Sequence, residues 1–218
     1  MKGKSHFILL VLAIVIIFAG CSKQKTPVEK MYDVLEKVVA SEKGFEEQQD
    51  PLVSLEKKEK EIYDQIIELG MKEYDQIVKL ADEAISLADD RKEHIEKETK
   101  SIKESEKEFK KAAELIGELD DPALAKLVQE LYDTMMERYR AHEVLVKEYS
   151  EAITADKELY GMFKNKNLPL DNLEAQVEKL NESYKKVFEE NEKFNKLTEK
   201  YNDQKLSFYK KAGLKMNK

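Results

Sequence analysis

The chain opens with thirteen consecutive apolar residues, Phe7 through Ala19, between Met1-Lys2-Gly3-Lys4-Ser5-His6 and Gly20-Cys21. Beyond them the pattern changes period. From Thr26 onward apolar side chains return every three or four residues, the spacing of one face of an α-helix. Thr26-Pro27-Val28-Glu29 reads as a helix start: Thr26 can cap, Pro27 takes the first helical position, and Glu29 completes a capping box. The spacing predicts a helix over about 27–49, with Val28, Met31, Leu35, Val38 and Phe45 inward. Asp50-Pro51 repeats the start signal, and from there Leu55, Ile62, Ile66, Leu69, Ile77, Leu80, Ala84 and Leu87 recur at coiled-coil spacings. The pattern thins at Asp89-Asp90-Arg91-Lys92 and resumes at Ile95, Ile102 and Phe109. One bent helix over 51–117 and two helices parted near 89–92 both fit it. Gly117 to Pro122 is a turn, followed by a helix over about 122–164. Asn165-Lys166-Asn167-Leu168-Pro169 breaks that helix, and Asp171 with Glu174 offers a capping box for a last one over 172–211, ahead of a basic tail at 213–218. In the last helix Val177, Leu180, Tyr184, Val187, Phe194, Tyr201 and Phe208 keep near-heptad register, but Asn191, Thr198 and Lys205 share the seam, so this helix needs neighbours.

No stretch has the alternation of a strand. The expected fold is all-α, an elongated antiparallel bundle or hairpin of long coiled-coil-like helices in one domain over 26–212. A charged content of 38% and the absence of Trp suit slender, solvated helices more than a thick core.

The N-terminal stretch has the layout of a secretory signal peptide over 1–20. Its apolar run reaches only ~20 Å as a helix against the ~30 Å of a bilayer core, which disfavours a permanent membrane span. Phe18-Ala19-Gly20-Cys21 resembles a lipobox, with Phe18 where Leu is usual. Cys21 is the one cysteine in the chain, at the position where diacylglycerol would be attached to the thiol before cleavage between Gly20 and Cys21. The expectation is a protein held by covalent lipid to the outer face of the cell membrane, with residues 21–25 as a tether and membrane lipid as its first partner. Without residues 1–20 the chain carries 36 basic and 45 acidic side chains, a net charge of −9, which argues against nucleic acid. With one cysteine no intramolecular disulfide forms, and stability rests on packing.

Catalytic chemistry finds little support, and the expectation is a non-enzymatic protein without cofactor or metal. His94 and His142 both fall inside predicted helices; a bundle metal site of the ferritin kind would place Glu three residues before each, where Arg91 and Tyr139 stand. There is no Gly-x-Ser-x-Gly elbow and no glycine-rich phosphate loop. Glu and Lys at i, i+4 read as a solvated face, not as paired acid and base. Ten tyrosines invite a sugar-binding reading, but most lie on the apolar seams; Tyr63, Tyr74 and Tyr132 are the exceptions. After Asp203 the chain gains Lys205, Lys210, Lys211, Lys215 and Lys218 and no acid, a candidate contact for anionic wall polymer or lipid headgroups, or simply lysines that complement a helix C-terminus.

Val28-Glu29-Lys30-Met31-Tyr32, and above all Glu46-Glu47-Gln48-Gln49-Asp50-Pro51-Leu52 followed by Leu55-Glu56-Lys57-Lys58-Glu59, resemble the YkyA-like putative cell-wall-binding lipoproteins of Bacillus and its relatives. The likeness spans the chain and is most recognisable over 28–70. It implies a Gram-positive surface lipoprotein associated with the wall and brings no catalytic residues. The partners to expect are peptidoglycan or teichoic acid, or, for a helical spacer, another envelope protein.

Overall fold

The computed structural model describes residues 24–69 and 73–214. The described residues are all-α, without a strand: α1 (Pro27–Ser41), α2 (Lys43–Glu68), α3 (Tyr74–Phe109), the single turn α4 (Ala112–Ile116), α5 (Pro122–Phe163) and α6 (Leu170–Lys211). At 42 residues each, α5 and α6 are about 63 Å long and pack side by side as a hairpin. Helix α3 packs against α5, α2 lies along α3, and α1 covers the far half of α3. Helices α2 and α6 stand apart.

The caps follow local chemistry. The Thr26 hydroxyl accepts from the Glu29 N–H while Glu29 reaches back to the Thr26 N–H, the reciprocal box that satisfies two orphan donors. Asp121 accepts from the N–H groups of Ala123 and Leu124. At α6 the expected box is not made: the helix begins at Leu170 with Pro169 as its N-cap and without a side-chain cap, leaving Asp171 in the first turn, where its charge suits the helix dipole.

Three helix boundaries differ from the periodicity reading. The first helix ends at Glu42 and not near Gln49, and Pro51 sits inside α2. An interior proline forfeits a backbone hydrogen bond at roughly 3 kcal/mol. The start of α2 is fixed by polar contacts, and its buried residues Leu52, Glu59, Ile62 and Ile66 hold the rest. Arg138 makes a bidentate contact to Glu42, at 2.7 and 3.0 Å. Ser101 Oγ accepts from the Phe45 N–H and donates to the Ser41 carbonyl across the junction. The stretch after Pro51 is divided at Leu69, whose backbone is extended, and not at 89–92, which runs helically through α3. A further turn at Lys110-Lys111 separates α3 from α4.

The largest apolar cluster gathers Met31, Leu35 and Val38 of α1 with Phe109, Leu131, Met135 and Phe208, and Phe109 stacks on Tyr132 at 5.3 Å between centroids. Gly44 marks a close approach of α2 to α3. A Cβ there would lie 3.2 Å from both Cβ and Oγ of Ser101, a side chain pinned by its two hydrogen bonds. Gly44→Ala is therefore expected to destabilise by about 1 kcal/mol even though Ala is the better helix former, because overpacking outweighs propensity. Urea denaturation of the variant measures the loss, and a cycle with Ser101→Gly alone and with the double variant should show that Gly44→Ala costs less once the Ser101 side chain is gone.

Candidate binding groove

The seam of α3 does not stop at Arg91. Ala84, Ala88, Arg91, Ile95, Glu98 and Ile102 continue at spacings of three and four, all buried, so two of the seam positions are charged. Arg91 is 1% exposed, and its guanidinium is almost completely used. Nη1 donates to Glu59 at 2.6 Å and to Asp156 at 3.0 Å; Nε donates to the Tyr149 hydroxyl at 3.1 Å and Nη2 to the Tyr184 hydroxyl at 2.8 Å. The two hydroxyls in turn donate to carboxylates, Tyr149 to Glu56 and Tyr184 to Asp156. One arginine from α3 thereby ties α2, α5 and α6 together.

Burial sets the electrostatics of this cluster. Glu59 is raised from its ordinary 4.5 to about 7, chiefly by desolvation and then by the Asp156 charge, against the lowering pull of Arg91. Asp156 is also raised by burial, opposed by the hydrogen bond from Tyr184 and by Arg91. For Arg91 burial alone would lower the pKa, but Tyr149, Tyr184, Glu59 and Asp156 outweigh it and the guanidinium stays charged.

Above this floor, between α2 and α6, lies an open cleft of about 680 Å³. Its walls mix aliphatic and aromatic side chains, with Leu52 and Val53 from α2 facing Val177, Leu180 and Val187 from α6, and the rims carry Val53 and Phe188, 65% and 63% exposed. At one end Glu98 bonds to His142 Nε2 at 2.8 Å and accepts from Gln49 at 3.0 Å. The His142 ring packs against Phe45 and Phe194.

Two carboxylates do converge beneath the cleft, yet not as an acid and base flanking a substrate. Glu59 and Asp156 accept from the same guanidinium nitrogen and each is 4% exposed, so Arg91 occupies the place a reacting bond would need. His94 and His142 do not meet: His94 Nδ1 lies 2.7 Å from Gln48 Oε1, while His142 serves Glu98. Among the described residues no cluster of His, Cys, Asp and Glu has the makings of a metal site.

The sequence-predicted site residues are spread out. Gly20, Cys21, Lys215 and Lys218 lie outside the described residues. Lys205 is half-buried on the other face of α6, its amine 5.8 Å from the Tyr209 ring centroid, and its pKa is lowered by burial against the opposing charges of Glu36 and Glu42. Lys210 and Lys211 are exposed in the last turn of α6. Of the three tyrosines singled out, Tyr63 lines the cleft and packs on Phe163, Tyr74 donates to the Lys164 carbonyl, and Tyr132 stacks on Phe109. The periodicity reading missed Arg91, Glu59 and Asp156. The signal was present as an unbroken three-four spacing through 84–102, hidden because arginine and glutamate count as surface residues.

Comparison with known proteins completes the picture. Residues 26–211 match a family described as "Putative cell-wall binding lipoprotein". The chain is 35% identical over 206 residues to an uncharacterized lipoprotein of Bacillus subtilis strain 168, covering 94% of this chain and 92% of the relative. A crystal structure of a conserved protein of unknown function from Staphylococcus aureus shares the fold, with a TM-score of 0.74 and 23% identity over 85% of this chain and 97% of that one. No helix among the described residues is long and apolar enough to cross a membrane.

Proposed function

Because the chain belongs to the YkyA family of putative cell-wall binding lipoproteins, we propose that it is a lipid-anchored protein of the Gram-positive envelope that binds wall polymer in the α2/α6 groove, without catalysis. The anchor is diacylglycerol joined to the Cys21 thiol, followed by cleavage between Gly20 and Cys21. Each buried CH₂ contributes about 0.8 kcal/mol, and two chains hold where one is marginal. The helical domain then stands on the outer face of the membrane, toward the wall. One observation carries the choice of surface: the α6 seam at Val177, Leu180, Tyr184 and Val187 has the spacing of a packed face, yet these residues stay half-buried because no helix among the described residues closes over them. The same observation supports the second reading, in which another envelope protein lays a helix into the groove.

One experiment tests anchor and surface together. The full chain with Cys21→Ser is expected to leave the membrane fraction, to take no lipid label, and to be retained by purified peptidoglycan. Adding Phe188→Arg should reduce that retention about tenfold, since the exposed ring contributes nothing to the core. Persistence of the serine variant in membranes without lipid label would identify an uncleaved anchor instead. Retention no better than that of a charge-scrambled helical control would overturn wall binding, and capture of an envelope protein in its place would establish the second reading.

A further inference from the structure

We infer that the groove takes an extended, amine-bearing peptide with small aliphatic side chains, which in a bacterial wall is the uncross-linked stem peptide of peptidoglycan. A bare glycan strand and an anionic teichoic polymer fit it less well. The inference rests on the wall-binding reading and narrows it to one part of the polymer.

Charge comes first. The lining holds four carboxylates, Glu56, Glu59, Glu98 and Asp156, against Lys60 and Arg91; Glu59, Asp156 and Glu98 are buried with partners of their own, which leaves Glu56 as the reachable anion and Lys60, paired with Asp64, as the reachable cation. Arg91 is buried and fully engaged, and Lys60 lies 2.5 Å from Asp64. A polyphosphate would have to draw Lys60 from Asp64 and would still face Glu56, whereas an ammonium group would meet Glu56 directly. That carboxylate is half-exposed; Oε1 accepts from Tyr149, while Oε2 makes no hydrogen bond among the described residues. A charged acceptor held in place at a partly dry wall is the complement of an amine.

The remaining lining suits a peptide. Asn181 and Asn191 are exposed on the α6 side, and their carboxamides can donate to and accept from peptide groups. They are ten residues apart, about 15 Å along the helix, the span of roughly four to five extended residues. The α6 wall as a whole, 177–195, runs about 27 Å, enough for about eight. Val187 between the amides, Val177 and Leu180 just before Asn181, and Val53 on the α2 side offer branched methyl surfaces that match alanine-sized side chains. Sugars prefer flat aromatic faces. Here the guanidinium of Arg91 lies 5.0 Å from the Tyr149 ring centroid and 5.9 Å from that of Tyr184, Tyr63 is taken up by Phe163, and Phe45 packs on Phe194; Phe188 on the rim is the one broadly exposed ring of the lining, a single face at one edge.

The test uses the full chain extracted in detergent and a synthetic, alanine-rich stem pentapeptide carrying a free side-chain amine. Its comparators are the same peptide acetylated on that amine, a peptide-free glycan oligomer and polyglycerol phosphate. Titration calorimetry is expected to show acetylation weakening binding about fivefold, as for a half-exposed ion pair. Glu56→Gln, which keeps an acceptor for Tyr149, should produce the same loss with the free amine and none with the acetylated peptide. Equal binding of the two peptides, or tighter binding of glycan or polyglycerol phosphate, overturns the inference. If purified peptidoglycan is retained through Phe188 while the pentapeptide does not bind, the peptide inference falls and wall binding stands. If neither binds, both fall.

Discussion

Replacing Arg91 with methionine is expected to destabilise the protein by about 3–5 kcal/mol, or to lower its melting temperature by roughly 10 °C. The size follows from what is left behind. Methionine fills much of the same volume, so the loss is not a cavity; it is the removal of four donors from Glu59, Asp156, Tyr149 and Tyr184, three of which are less than a tenth exposed. Two carboxylates would then share a buried site without a counter-charge, and a buried group stripped of its partner carries its full desolvation penalty. Arg91→Lys should fail nearly as badly, because one ammonium cannot serve four acceptors arranged around a planar fork. The triple variant Arg91→Met, Glu59→Gln, Asp156→Asn should regain most of the loss, since the whole charged set is removed together. A loss below 1 kcal/mol for Arg91→Met in urea denaturation would show that water enters and solvates the carboxylates, and that the cluster does not hold α2 to α5 and α6.

Between pH 4.5 and 7 the protein is expected to lose stability, by an amount on the order of 3 kcal/mol, through Glu59 alone. A carboxyl whose folded pKa is raised keeps its proton in the folded state while the unfolded chain has already released it. Stability therefore falls as pH climbs from the unfolded value to the folded one and is level above it. With Glu59 moving from 4.5 to about 7, and ~1.4 kcal/mol for each pH unit, the window and the size follow. Asp156, also raised, adds in the same direction. The groups facing Glu59 are Arg91 from α3, Asp156 and Tyr160 from α5, with Glu56 on its own helix; Tyr149, Tyr160 and Tyr184 are raised by burial and stay neutral throughout the window. Glu59→Gln, which mimics the protonated acid, should flatten the profile, matching the parent near pH 4.5 and exceeding it at pH 7.5. Urea titrations of both chains across this range measure the difference. Parallel profiles would mean that Glu59 is solvated and titrates as an ordinary carboxyl.

Much of this molecule was legible from spacing. Met31, Leu35, Val38, Ile62, Ile66, Ile77, Ile102, Phe109, Leu131, Met135 and Phe208 all point inward as their three-four recurrence requires, because a helix that buries one stripe must repeat it every turn. The capping box at Thr26 and the cap at Asp121 are equally local, each decided by one side chain reaching two or three residues ahead. The lipobox-like run ending at Cys21 and the family likeness over 26–211 are likewise properties of the order of residues, independent of how the helices pack.

Other features were decided by contacts between residues far apart in the chain. Asp89-Asp90-Arg91-Lys92 looks like an interruption because three of its four residues are exposed, but the helix continues since Arg91 finds Glu59 and Asp156, 32 and 65 residues away. Pro51 looks like a helix start but lies within α2, whose true beginning is held by Ser101 and Arg138 from two other helices. The groove itself is the clearest case. The register of Val177, Leu180, Tyr184 and Val187 marks a face to be covered, and nothing in that register says whether a helix covers it; only the packing of α2 on α3, away from α6, leaves it open. Hydrophobic periodicity is a short-range property of one helix, so the order of residues determined the helices, their buried stripes and the anchor motif. The charged layer beneath the groove and the opening above it exist only where four helices meet, and these the tertiary structure decided.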